Sequence, residues 1–382
     1  MMVGVFFRKQ LRQVRSYRSK HQVLSLLCLT LLVVGIYRIY NNMLSKQEIH
    51  IDLKPVQDTM KSTEDYKEGW ITDYPQIENM IILPCHSVFA PELNEAKDYP
   101  KDDRFAIGMD PNNWLMASFQ KKSNDQYSFM KHMEHALLEL HANIGNTALV
   151  VSGGFTKPEI EKSEASSYLD MAKAVGFLKN PYFRIGTNIL LEEHARDSYE
   201  NVLYSLSTFY KKFQKFPKKI TIVGFGFKRE RFLSSHLTTL GYYKPTKEIK
   251  GMKDEEKWPD SVHVKYVSQG PFLEKSENQS DEEFKVYESE FWDSLGKSER
   301  ENALALFNVN PFGSRGSKLY DKKIARDPWN KSQEITTTYK TNNEILNTLI
   351  EINDLELKDA MELYKQKVVP SFPLYIDHRN GN

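Results

Sequence analysis

Between residues 80 and 240 one pattern occurs four times: a short apolar run, a polar turn, then a longer stretch with apolar side chains every three or four positions. Side chains repeat every two residues on a strand and every 3.6 on a helix, so the pattern reads as strand, turn, helix. Strands are expected at 80–84, 147–151, 185–191 and 219–223, and helices at 123–143, 163–175, 197–213 and 230–240. Phe129, Met133, Leu137 and Leu140 share one face of the first helix. Ala165, Leu169 and Ala172 share one face of the second, and Val202, Leu206, Phe209 and Phe213 one face of the third. A fifth run, 262–266, alternates apolar and polar as a half-exposed edge strand does. Strands alternating with helices imply right-handed crossovers, hence parallel strands with helices on both sheet faces. The expected fold class is a doubly wound α/β domain over residues 78–330, followed by a helical tail over 331–382 with its helices at 335–366.

The N-terminus follows a different rule. Residues 23–40 form an 18-residue apolar run interrupted only by Arg38, and six basic residues precede it. A span needs about 20 apolar residues, and a terminal Arg can reach the headgroups. Basic flanks stay cytosolic, so the expected topology is a cytosolic tail (1–22), a signal-anchor (23–40), a polar linker (41–77) and a lumenal body. A cleaved signal peptide fits less well, because no small-residue cleavage site follows the run. A short span favours the thinner membranes of the endoplasmic reticulum or Golgi. Asn278 and Asn330 head glycosylation sequons.

Charge excludes one partner class. The chain carries 52 Lys and Arg against 51 Asp and Glu, but residues 1–47 hold eight of the basic groups and none of the acidic ones. The remainder is acidic, 44 against 51, which argues against nucleic acid as a partner. Two cysteines, Cys28 and Cys85, cannot build a zinc cluster or a disulfide framework. His132 and His135 lack the spacing of a zinc protease and read as two polar positions on a helix surface, so no metal site is expected and no cofactor is assigned.

Ligands of open α/β sheets bind beyond the carboxyl ends of the strands, which selects four turns. After the first strand come Cys85 and His86; Cys85 reads as a small core residue, while His86 alone could face the site. Ser152, Gly153 and Gly154 follow the second strand, where backbone amides could approach an anion or simply make a tight turn. The third turn holds Glu193, Arg196, Asp197, Glu200 and Asn201. Asp197 and Glu200 have capping-box spacing, so a structural role is at least as well supported for them as catalysis; Glu193 precedes the cap and is freer to act. After the fourth strand, Lys228 and Arg231 open a helix, where basic residues oppose the dipole, and form a candidate anion clamp. Gly224 and Gly226 make half of a dinucleotide fingerprint, whose third glycine position is Arg229.

Together these turns resemble the YdcF/SanA/ElyC-like family (domain of unknown function 218), specifically a fungal type II membrane-anchored branch. The resemblance rests on Ser152-Gly153-Gly154, Ser163-Glu164-Ala165, Glu193 through Ala195-Arg196-Asp197-Ser198 to Glu200-Asn201, and Arg231. Bacterial members usually carry His where Lys228 stands. The resemblance implies a Rossmann-like sheet, roles in envelope polysaccharide or lipid-carrier homeostasis, and Arg196, Asp197, Glu200 and Glu164 as structural or site residues.

Three functions compete. The first is a lumenal enzyme acting on a phosphorylated, nucleotide-linked or lipid-linked sugar. There Ser152 to Gly154, Lys228 and Arg231 would hold the anion, and Glu193, oriented by Asn201, would act as general base or metal carboxylate. The second is a non-catalytic ligand-binding or scaffold protein of glycan or cell-wall assembly. The third is a nucleoside-cofactor binder, for which no ribose-binding acid stands at the expected spacing. The topology is testable directly: protease added to intact microsomes should spare residues 45–382 and digest only the N-terminal tail. Digestion of the C-terminus without detergent would reverse the assigned orientation. Asn278→Gln with Asn330→Gln should abolish an endoglycosidase-sensitive mobility shift.

Overall fold

The computed structural model describes residues 76–94, 98–100, 103–243, 263–276 and 278–374. The apolar run at 23–40, its basic flank and the linker lie outside the described residues; among those described, no helix is long and apolar enough to cross a membrane. The body is α/β: five parallel strands form one sheet with helices against it. The strands are β1 (Asn79–Pro84), β2 (Thr147–Ser152), β3 (Ile189–Glu192), β4 (Lys219–Gly224) and β5 (Val264–Ser268), in the order β3-β2-β1-β4-β5. The longer helices are α1 (Asp125–Ala142), α2 (Glu164–Ala174), α3 (Ser198–Phe213), α4 (Arg231–Leu237), α5 (Asp281–Glu299) and α6 (Lys318–Ala325). Three more follow: α7 (Ile335–Tyr339), α8 (Glu344–Ile352) and α9 (Leu357–Leu363).

The period-two rule divides the core. Ile81 and Leu83 of β1, with Leu149 and Val151 of β2, pack against Phe129 and Met133 of α1 and Leu169 of α2. Met80, Ile82, Ala148 and Val150 point to the other face and pack on Val202, Leu206 and Phe209 of α3. Central strands buried on both faces need continuous apolar runs, which is why all six residues of β2 are buried. β5 is one edge of the sheet, β3 the other; Val264 and Tyr266 of β5 point inward and Lys265 is exposed.

Some expected bounds shift. The third strand starts at Ile189, not 185, because Gly186 takes φ +80° and the Asn188 side chain accepts from the Arg184 amide, closing a turn that leaves Ile185 exposed. The edge strand lies two residues further on than 262–266, and residue 262 is outside the described set. The helix expected at 230–240 is wound as a π-helix over Arg231–Leu237. α5 was not expected at all; it has no buried residue and is held at its start by a capping box between Ser280 and Glu283.

The C-terminal helices share the core of the sheet. Tyr339, Leu346, Leu349 and Ile352 lie in the same cluster as α3 and the β1 face beneath it. Leu349→Ala should therefore destabilise the whole body by about 2–5 kcal/mol, as buried leucine truncations do, in one cooperative transition. A separate early transition in calorimetry would show the tail to be an independent unit.

Candidate functional site

At the end of β2 the chain turns sharply under a crowded roof. A Cβ at Gly153 would lie 2.8 Å from Glu164 Cβ and 2.9 Å from Cys85 Cβ; one at Gly154 would lie 2.7 Å from the Ala195 carbonyl oxygen. That close approach is the reason for two glycines, and it also engages their amides. Gly153 N donates to Glu192 O and Gly154 N to Ala195 O, each at 2.9 Å. The first amides of α2 are engaged as well: Glu164 N and Ala165 N donate to the Gly154 and Gly153 carbonyls, and Ser166 N to the N-cap hydroxyl of Ser163. Ser152 is wholly buried, with its hydroxyl donating to Glu192 and accepting from Asn201 Nδ2 at 2.8 Å. The expectation that Ser152, Gly153 and Gly154 cradle an anion is thus corrected: this turn fastens β2 to β3 and α2, and no amide in it is left for a ligand.

The third turn is likewise structural. Asp197 is the N-cap of α3 and accepts from Glu200 N at 2.8 Å. Glu200 does not complete a box on Asp197; its carboxylate takes the Arg196 amide (2.8 Å) and the Arg196 guanidinium in a fork at 3.0 and 2.7 Å. Lys323 of α6, fully buried, adds its ammonium 3.4 Å from Glu200 and 3.5 Å from Asp197. Glu200 is held down to about 2 against burial by Lys323 and Arg196. Asn201 donates to Ser152 O and Oγ, so it does not orient Glu193. Glu193 is half-buried and accepts from the Ser163 hydroxyl at 2.7 Å. Glu164 accepts from Thr156, and burial raises its pKa.

The carboxylate that sequence reasoning passed over is Glu192. It is fully buried at the end of β3 and accepts from Ser152, His194 N (2.7 Å), Ala195 N (3.0 Å) and the Tyr339 hydroxyl (2.7 Å). Tyr339 also meets His194 Nδ1 at 2.9 Å. The period-two position of Glu192 points it inward, opposite to Glu193, and the side chains that meet it, Ser152 and Tyr339, lie 40 and 147 residues away.

The sheet order reverses at β1, and the crevice between the carboxyl ends of β1 and β4 is where such sheets take ligands. His86 and Lys228 meet there, Nδ1 to Nζ at 3.3 Å, with the ammonium 5.1 Å above the Phe225 ring. Among the described residues no carboxylate lies within 4 Å of Lys228. Its pKa falls to about 7, first through burial and then through Arg231 and Arg326, against Glu299 and Asp125. Arg231 Nε is 3.0 Å from Glu299 of α5, out of line for a hydrogen bond; it pairs with neither Glu200 nor Glu193. His86 is held neutral by burial and by Lys228. His132 is not on a surface: it is fully buried, its Nε2 3.2 Å from the Gln269 carbonyl, and burial takes its pKa down to about 3. Asp125, at the start of α1, is pushed up to about 6 by burial despite the Ser123 hydroxyl at 2.7 Å. The structure sets the His86 ring against Lys228, with Arg231 acting on both, and leaves Glu193, Asn201 and the glycine turn, which was expected to converge with Lys228 and Arg231, on the other side of β1. Among the described residues no group of His, Cys, Asp or Glu is placed to hold a metal ion. Asn278 and Asn330 are both exposed.

Burial of Glu192 has a pH consequence. Its pKa is pushed up to about 7, above the usual 4.5, so its contribution to stability is complete below about pH 4.5 and is lost as pH rises through about 7. Glu192→Gln keeps an acceptor for the two amides and removes the titration. Its melting temperature should vary less than that of the wild type between about pH 5 and 8; equal slopes would locate the titration elsewhere.

No family model matches the chain, and no solved structure does either. The chain is similar to the uncharacterized protein YOR238W of Saccharomyces cerevisiae, 28% identical over 286 residues that cover 66% of this chain and 84% of the yeast protein.

Proposed function

We propose that the crevice between β1 and β4 binds a phosphate group, and that the chain is a lumenal enzyme acting on a phosphorylated, nucleotide-linked or lipid-linked sugar. The observation that carries this reading is the lack of close pairing: among the described residues no carboxylate lies within 4 Å of Lys228, and Glu299, out of line for a hydrogen bond, is the one ion-pair partner of Arg231, while Asp125, Glu164 and Asp197 act on these cations from farther off. Like charges held together raise the free energy of the folded protein unless an anion enters. A phosphate would accept from the Lys228 ammonium and from the outer guanidinium nitrogens of Arg231, whose Nε faces Glu299. Asp125 and His86 are the groups beside it able to hold or pass a proton; with Asp125 near 6, its carboxyl exchanges a proton in the range where a general acid is useful. A lumenal, type II placement and a doubly wound, Rossmann-like relationship to the YdcF-like proteins belong to the same proposal and rest on the sequence features alone.

The non-catalytic binding reading is favoured by one observation. Glu193 and Asn201, the residues expected to carry the chemistry, hydrogen-bond within the rim of β2 and β3. Turnover of a sugar phosphate by the full-length chain separates the two readings.

Binding is tested with sulfate, which keeps its charge across neutral pH. Lys228 is protonated below about 7, so sulfate should bind more tightly as pH falls from about 8 to 6. Lys228→Gln should lose that dependence and about 10-fold in affinity, the scale of one charge-assisted bond. Unchanged affinity in Lys228→Gln and Arg231→Gln would remove the anion site.

A further inference from the structure

Lys228 is surrounded as a nucleophile is, by groups that carry no negative charge. Its nitrogen stands 5.1 Å from the centre of the Phe225 ring and 5.6 Å from that of Phe227. Its one hydrogen-bond partner among the described residues is His86 Nδ1, at 3.3 Å. Ring faces and an imidazole nitrogen hold an ammonium more weakly than a carboxylate at hydrogen-bond distance does. Asp125 at the start of α1, Glu299 of α5 and Glu164 of α2 act on it from beyond 4 Å; Arg231 and Arg326 oppose them, and His86 and His132 are neutral near pH 7. Lys228 also ends the turn Gly226–Lys228 that follows β4, on the carboxyl rim, and its side chain stays partly open to solvent. The imidazole that holds it has a second nitrogen, Nε2, buried without a partner. Burial first, and then the arginines, bring the Lys228 pKa down to about 7. Near neutrality much of the side chain is therefore a free amine, a form that an ordinary lysine takes in under about one part in a thousand.

We infer that Lys228 forms an imine with the carbonyl carbon of an aldehyde or ketone, which makes the crevice a covalent site. A lysine freed of its proton by an apolar niche is the form that carries out this chemistry. The amine nitrogen adds to the carbonyl carbon and gives up a proton, while the carbonyl oxygen gains one. The carbinolamine then breaks its C–O bond as the C=N bond forms, and one water leaves. No oxidant or reductant enters. His86 Nδ1 occupies one N–H of the amine and leaves the electron pair for attack. The imine is argued from the contacts of Lys228 alone; combined with the phosphate reading of the crevice, on which this narrowing rests, it selects among the compounds proposed above. Nucleotide-linked and lipid-linked sugars have the anomeric carbon bonded through oxygen to phosphorus and offer no carbonyl. A sugar phosphate with a free anomeric carbon does.

The test uses the full-length chain and two probes, glyceraldehyde and its phosphate ester. Sodium cyanoborohydride reduces any imine to a stable secondary amine, and peptide mass spectrometry locates it. At about pH 7 glyceraldehyde should alkylate Lys228 about 10-fold faster or more than any other lysine, because only there is the amine largely unprotonated. From about pH 6 to 8 the rate at Lys228 should rise and then level as its proton leaves, while the rates at other lysines keep climbing. This is the reverse of the sulfate dependence, as one titration read from its two sides requires. The phosphate ester should react faster still at Lys228 and gain nothing at other lysines. Preference for Lys228 without that gain upholds the imine and takes the phosphate out of the ligand. Absence of any preference for Lys228 with either probe, or a rate that does not level, overturns the imine and leaves the sulfate titration to decide the phosphate reading by itself.

Discussion

The carboxyl rim of this protein is organised around the neutralisation of one buried carboxylate, Glu200. No oxygen of it reaches water, so every charge on it must be met by protein. Arg196 supplies a fork and its own amide, Lys323 an ammonium, and Tyr204 a hydroxyl at 3.2 Å, itself held by Asn353 at 3.3 Å. Those donors come from the third turn, α6, α3 and the segment after α8. Such a cluster adds little net stability, but losing one partner leaves an uncompensated charge worth about 3–5 kcal/mol. Its effect is positional. Lys323 pins one side of α6, and because successive helical residues point about 100° apart, the neighbouring Lys322 is turned away from that anchor.

Charge is matched on one side of β1 and unmatched on the other. Around β2 and β3, Glu192, Glu200, Asp197 and Arg196 each meet donors or acceptors at hydrogen-bond distance. At the ends of β1 and β4, Lys228 has no carboxylate within 4 Å among the described residues, Arg231 faces a misaligned one in Glu299, and burial brings the Lys228 pKa down to about 7. The π-winding of α4 falls at this same point, with Arg231 as its first residue. A local widening of a helix is costly and recurs where side chains must be aimed at a site.

The strands and helices were legible because burial on two faces imposes its period on every core position: Phe129, Met133, Leu137 and Leu140 are all buried as their spacing requires. Asp197 was legible as a cap because the signal is local, an acceptor three residues before its donor. Strand order placed His86, Lys228 and Arg231 on the carboxyl rim, but the contact of His86 with Lys228 was not legible. What failed was local too. The glycines after β2 were ambiguous between a cradle and a tight turn, and the deciding groups, Glu192 O and Ala195 O, lie some 40 residues away. Lys323 on Glu200 and Tyr339 on Glu192 are contacts across more than 100 residues, which no spacing encodes. α5 escaped because none of its residues enters the core, and a helix without a core face has no apolar stripe for periodicity to detect.

The distribution of unmet hydrogen bonding points the same way as the charge. Buried polar atoms are paired in folded proteins almost without exception, so unpaired ones call for a cause. His86 Nε2, His132 Nδ1, Ser128 Oγ and Gln126 Oε1 are buried without partners, all on the end of β1 or the first turns of α1. A second set, Tyr199 OH and His236 Nδ1, lies among Phe232, Phe307 and Phe312, where apolar packing accounts for it. The first set has no such surroundings on its Lys228 side: His86 Nδ1 takes the ammonium, which fixes the proton of the ring on Nε2 and leaves a donor facing inward. His132, donating from Nε2 to Gln269, leaves an acceptor at Nδ1, and the two rings stand 5.7 Å apart edge to face. A donor and an acceptor left open beside a cation with no carboxylate within 4 Å among the described residues are unfavourable for folding and useful for holding a polar ligand. Folded proteins keep such conflicts where binding offsets them.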